Sequence, residues 1–168
     1  MAAYAWYGWV GYEARSLPWR PSVTYRYAFF SGDKPATSTY ERFDNLFSGT
    51  QDYFVPGLIS SKVVTNSNLR SQRVTLAVNP AQTLQLKLNY FAHEAATLNN
   101  LGGIGPLQRL ASRSLLQELQ FDVYWYLGKN FYFQGIASAA KPGQAIRQAL
   151  GGTANNWYSL QTSLYFFF

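Results

Sequence analysis

The sequence predicts an all-β protein, an antiparallel up-and-down transmembrane β-barrel with about 7-8 strands present, and three observations predict it. Apolar and polar residues alternate with a period of two along seven segments, the connections between segments alternate short and long, and the chain is 18% aromatic but only 13% charged. A period of two sends successive side chains to opposite faces of a strand. A membrane barrel needs this, with apolar residues toward lipid and polar residues toward the lumen, and the two faces cancel in any window average. Mean hydropathy is accordingly only −0.17, and no run approaches the ~18 consecutive apolar residues of a spanning helix. A soluble up-and-down barrel of the lipocalin type would carry the same period with the faces reversed.

The first segment, Tyr4 to Glu13, is interrupted by Gly8 and Gly11, which weaken its face assignment. The second is the clearest: Trp19, Pro21, Val23, Tyr25, Tyr27 and Phe29 alternate with Arg20, Ser22, Thr24, Arg26, Ala28 and Phe30. In the third, Val74, Leu76 and Val78 oppose Arg73, Thr75, Ala77 and Asn79; in the fourth, Leu84, Leu86, Leu88, Tyr90 and Ala92 oppose Gln85, Lys87, Asn89, Phe91 and His93. The fifth sets Leu119, Phe121, Val123, Trp125 and Leu127 against Glu118, Gln120, Asp122, Tyr124 and Tyr126, and the sixth, Phe131 to Ala140, is diluted by Gly135 and alanines. The seventh, Asn156 to Phe168, carries Leu160, Thr162, Leu164, Phe166 and Phe168 on one face and Gln161, Ser163 and Tyr165 on the other. Its ending resembles the C-terminal signal by which bacterial outer-membrane barrels are recognised for assembly. That resemblance implies the bacterial outer membrane as location. It also implies the barrel-assembly machinery, outer-membrane lipid and lipopolysaccharide as partners. Aromatics at strand ends, including Trp6, Tyr12, Trp19, Tyr90, Trp125, Tyr158 and Phe168, suit interfacial girdles.

Short links fall at Ala14 to Pro18, Asn79 to Gln82 and Gly128 to Asn130, and long ones at Ser31 to Asn68, Thr97 to Ser112 and Lys141 to Asn155. With Phe168 in the periplasm, every long connection lies outside the cell and every short one inside, as outer-membrane barrels require. Residues 1–168 then form a single barrel domain. Seven strands leave the first and last running parallel, and Met1 to Tyr4 lack a charged region followed by an apolar one. We therefore expect the C-terminal portion of a larger barrel, truncated at its N-terminus.

Charges that cannot face lipid must face the lumen. The strand parity places Arg20, Arg26, Arg73 and Lys87 there as cations, and Glu13, Glu118 and Asp122 as anions. Depth counting makes Arg26 a neighbour of Arg73, and Lys87 a neighbour of Asp122. Two guanidinium forks suit carboxylate binding, with structural pairing as the alternative, whereas Lys87 with Asp122 is expected to stiffen the wall. The small positive surplus favours a mixed charged constriction over a uniformly basic tunnel. Tyr7, Trp9, Tyr124 and Tyr126 also project inward. In the first long loop, Asp33, Glu41, Arg42 and Asp44 are candidates for a gate, and Phe43 and Phe47 for a cap that packs on the barrel mouth.

Other chemistry finds little support. No cysteine is present, His93 is the only histidine, and no Ser or Asp stands at a spacing that forces a triad. We expect no enzyme activity, no metal site and no cofactor. The net charge of +6 suits an anionic partner, but basic residues spread one per strand or loop give no nucleic-acid face.

One loop carries a resemblance. Tyr27-Ala28-Phe29-Phe30-Ser31-Gly32-Asp33, then Tyr40-Glu41-Arg42-Phe43-Asp44-Asn45-Leu46-Phe47, then Ser67-Asn68-Leu69, are similar to the alginate export family. There a YAxxSGD turn, an ERFDxLF stretch and an SNL element recur near the C-terminal end of a much larger barrel. The resemblance covers Ala5 to Phe168 and would make this chain the last seven strands. It implies an outer-membrane porin or export channel that passes anionic or sugar-like solutes, such as a polyuronate, by passive diffusion. The alternative is a small structural or binding barrel that conducts nothing.

Overall fold

Alternating β-branched, aromatic and polar residues fit a pleated, half-buried surface, and each of the seven segments forms a strand. The structure is a computed structural model, and it describes residues 1–44, 57–101 and 105–168. The strands are β1 (Ala5–Glu13), β2 (Ser22–Phe30), β3 (Leu69–Ala81), β4 (Leu84–Ala95), β5 (Ser114–Tyr126), β6 (Phe131–Pro142) and β7 (Trp157–Phe166). They make one antiparallel meander in sequence order.

The seven strands do not close into a barrel by themselves. β1 pairs only with β2, and β7 only with β6, so the sheet is open with two edges. The physical reason lies in the count: in a seven-stranded meander β1 and β7 run the same way, so joining them would put a parallel seam in an antiparallel wall.

Short turns gather at one end. Residues 14–21 link β1 to β2 through Trp19 and Arg20, both at positive φ (63° and 47°), and the Asn79 amide donates to the Trp19 carbonyl at 2.7 Å. Gln82 and Thr83 turn β3 into β4, and Gly128, at φ 95°, lies in the turn from β5 to β6. The long connections gather at the other end. There a helix, α1 (Gln144–Ala149), lies within the long connection from Lys141 to Asn155. Six residues are too few for a helical period to show in sequence. Gly143 starts it where a Cβ would lie 2.4 Å from the Ser114 carbonyl oxygen, and Ala145 and Ile146 are buried.

The faces of the sheet differ sharply. One is bare and apolar, with strand residues exposed from 36% at Val74 to 77% at Leu160, among them Leu76, Leu119, Phe121 and Trp125. The other is polar, and at its long-loop end the connections fold over it. Phe30, Leu69, Leu116 and Ala140 from the strands meet Ile59, Val64, Leu110 and Ile146 from the connections in one apolar cluster. This covered face also buries Asn89, His93, Glu118, Gln120 and Asp122. A water-soluble sheet buries apolar residues and exposes polar ones. Here the strands do the reverse.

Candidate functional site

Toward the short-turn end the covered face is open, and a groove of about 640 Å³ runs across β1 to β4. The pleat supplies its lining: Tyr7 and Trp9 from β1, Thr24 and Arg26 from β2, Arg73 and Thr75 from β3, Gln85 and Lys87 from β4. The register sets Arg26 directly opposite Arg73, and Lys87 opposite Asp122, the neighbours expected from depth counting.

Each cation lies over an aromatic ring. The Arg26 guanidinium is 5.1 Å from the Tyr7 centroid, that of Arg73 5.3 Å from Phe91, and the Lys87 ammonium 4.7 Å from Tyr124. Ring faces carry negative potential, so stacking steadies a cation without spending its outward N–H groups. The expected direct pair of Lys87 with Asp122 is therefore corrected: Lys87 closes on Tyr124, and no ion pair joins it to Asp122 among the described residues. Asp122 instead accepts from Asn89 Nδ2 at 2.5 Å and from Gln120 Nε2 at 2.6 Å. Asn89 Oδ1 in turn accepts from Arg73 Nη2 at 2.8 Å and from Thr75 Oγ1 at 2.8 Å. Asn89 thus relays between one cation and one carboxylate.

Other charges on the same sequence parity are spent elsewhere. Arg20 lies in the exposed turn before β2, and its Nη2 is 2.5 Å from Glu13 Oε1. Glu118, expected on the solute path, is 1% exposed and is the dock for the first long loop. Its carboxylate accepts from the amides of Ile59 at 3.0 Å and Ser60 at 2.8 Å, and from the hydroxyls of Ser60 and Ser138. Beside it, Gln120 Oε1 accepts from the Leu58 amide at 2.7 Å. What remains facing the groove is Arg26, Arg73 and Lys87; Asp122, opposite Lys87 in the register, is buried and is not among the described lining residues. This balance is more basic than the mixed constriction expected from counting whole strands.

The gate candidates form a joint at the long-loop end. Ser31 Oγ donates to the Glu41 carbonyl at 2.7 Å, and the Ser31 carbonyl accepts from the amides of Phe43 at 3.0 Å and Asn68 at 3.2 Å. Asp33 accepts from the Glu41 amide at 3.0 Å and from Asn99 Nδ2 at 3.3 Å. Lys34 pairs with Glu41 at 3.2 Å, and Arg42 Nε donates to Ser67 Oγ at 2.6 Å. Gly32 sits where a Cβ would come within 2.0 Å of Asn68 Oδ1 and 2.5 Å of Thr97 Oγ1. Phe43 packs on Phe30, with ring centroids 5.6 Å apart, as a cap would. Asp44 is exposed, and Asn45, Leu46 and Phe47 lie outside the described residues. Three stretches separated in sequence therefore meet at one place. The chain belongs to the alginate export family, whose match runs over residues 1–159. Alginate export is a transport family, not an enzyme family. No curated protein and no solved structure matches the chain.

Reading the sequence for charge missed the uncharged partners. Asn89, Gln120, Ser60 and Ser138 position the carboxylates; the only signal for Asn89, Gln120 and Ser138 was polar identity at lumen parity, and Ser60, in the first long loop, had none. His93 is 2% exposed beside Phe91, and neither ring nitrogen has a hydrogen-bond partner among the described residues.

Proposed function

We propose that this chain forms part of the wall of an outer-membrane β-barrel channel that passes anionic or sugar-like solutes by passive diffusion. The observation that carries the reading is the inverted sheet, with apolar side chains on the bare face and polar ones on the face toward the loops. Such a sheet is at home only with hydrocarbon on one side and a polar lumen on the other. The bare face is the lipid side, and Phe166 and Phe168 close it at the short-turn end, where the assembly machinery would engage β7. Arg70 and Lys141, on bare-face parity near the long-loop end, suit lipopolysaccharide phosphates.

Within the lumen, Arg26, Arg73 and Lys87 form the track for the solute, with Tyr7 and Trp9 offering ring faces to sugars. Guanidinium forks engage carboxylates, and stacked side chains keep them extended into the path. A specific observation favours a second reading, a barrel that anchors or binds without conducting: the apolar cluster fills the long-loop end of the covered face. Conductance of the reconstituted protein in planar bilayers separates the two. Steady current that prefers anions supports the channel, and its absence supports the anchor.

A further inference from the structure

Beneath the connections at the long-loop end lies a second cavity, of about 340 Å³, which shares no lining residue with the basic groove. Its character is different. Its lining is aliphatic in part, with Leu69 of β3, Leu115 of β5, Leu110 of the second long connection and Ile146 of α1. It also includes Arg42 and Lys62 among hydroxyl and amide groups such as Ser67 and Asn100, with no carboxylate among the described lining residues.

Both cations are without an ion pair among the described residues. Arg42 is held by its Nε on Ser67 Oγ, which itself donates to the Phe43 carbonyl at 2.5 Å, while Arg42 Nη1 is buried with no hydrogen-bond partner among the described residues. Two cations without a facing carboxylate among the described residues leave the site short of negative charge. An anionic group supplies the counter-charge that Arg42 and Lys62 lack among the described lining residues. Sugars do not suit the aliphatic lining, because their hydroxyls would face leucine side chains and go unpaired. An apolar body does suit it, and the volume falls within the range of small-molecule sites.

We propose that this cavity is a binding site for a small amphipathic carboxylate, its head on Arg42 and Lys62 and its alkyl or aryl body on Leu69, Leu110, Leu115 and Ile146. The site is separate from the solute track, and binding there is read without any current, so its test stands apart from that of the channel.

The test uses the full chain in lipid nanodiscs, with 4-ethylbenzoate as probe and saturation-transfer NMR plus calorimetry as readouts; empty nanodiscs give the background. Saturable binding is expected, weakened about tenfold or more by Arg42→Gln, the factor expected from losing one hydrogen bond to a charged group. Leu110→Phe, which fills the apolar part of the lining and leaves every charge in place, should weaken it as well, whereas Arg26→Gln in the groove should not. Lys62→Gln, at an exposed position, reads the same recognition if Arg42→Gln fails to fold. No saturable signal above empty nanodiscs overturns the proposal. So does equal binding of the neutral 4-ethylbenzamide, unchanged affinity in Lys62→Gln and Leu110→Phe together, or preferential binding of glucuronate.

Discussion

Two regions of the covered face treat polar residues in opposite ways. Beneath the connections, Glu118 is saturated: amides and hydroxyls from the first long loop and from β6 consume its carboxylate, and an apolar cluster lies around it. Across β1 to β4, Arg26, Arg73 and Lys87 rest on aromatic rings and open onto a groove, although the register sets Arg26, Arg73 and Glu118 in one row. The difference teaches that lumen parity alone does not make a residue a solute contact. A charge on that face becomes structural where a loop brings donors to it and stays available where no loop reaches.

Breaking the saturated region should have the largest effect. Glu118→Ala leaves the Ile59 and Ser60 amides without acceptors, at about 1–3 kcal/mol for each buried unpaired donor, and amide hydrogen exchange at both positions should accelerate while the strands stay protected. Next comes Gly32→Ala at the joint. A methyl group there meets Asn68 and Thr97 inside contact distance, and overpacking of this kind costs about 1–3 kcal/mol, seen as a lower unfolding temperature. Gly8→Ala, where a Cβ meets nothing within 4 Å, is the matching control and should leave that temperature unchanged.

Substitutions in the open region should spare stability and change selectivity. Arg26→Gln with Arg73→Gln should lower anion-over-cation permeability about fivefold, the factor that ~1 kcal/mol of screened charge interaction supplies, measured as a shift in reversal potential. Unaltered selectivity would remove the groove from the solute path. The smallest effect belongs to Arg20→Ala, whose partner Glu13 lies in solvent at the short turns. Neither unfolding temperature nor reversal potential should move.

All seven strands were legible in the sequence because a period of two needs only each residue and its immediate neighbours. The opposition of Arg26 to Arg73 was legible too, since counting depth from the strand ends at the long loop sets them at similar heights and parity sets them on one face. The open edges followed from the same count. What stayed hidden depends on contacts distant along the chain. Nothing near Glu118 announces Ile59 and Ser60, and a count of charges gives Asn89 no weight although it bridges Arg73 to Asp122. Helix α1 escaped because its Ala145 and Ile146 are fixed by packing rather than by a repeating pattern.

Gly32 bears on what kinship means for this protein. The stretches whose sequence resembles the family, around Ser31, Glu41 and Asn68, are fastened to one another, and their chemistry is used up in the fastening. A recognition mark of that kind certifies architecture and is silent about cargo. Arg26 and Lys87 stand outside those stretches, so a descendant could exchange them, change what it carries, and still be greeted as a member of the same lineage.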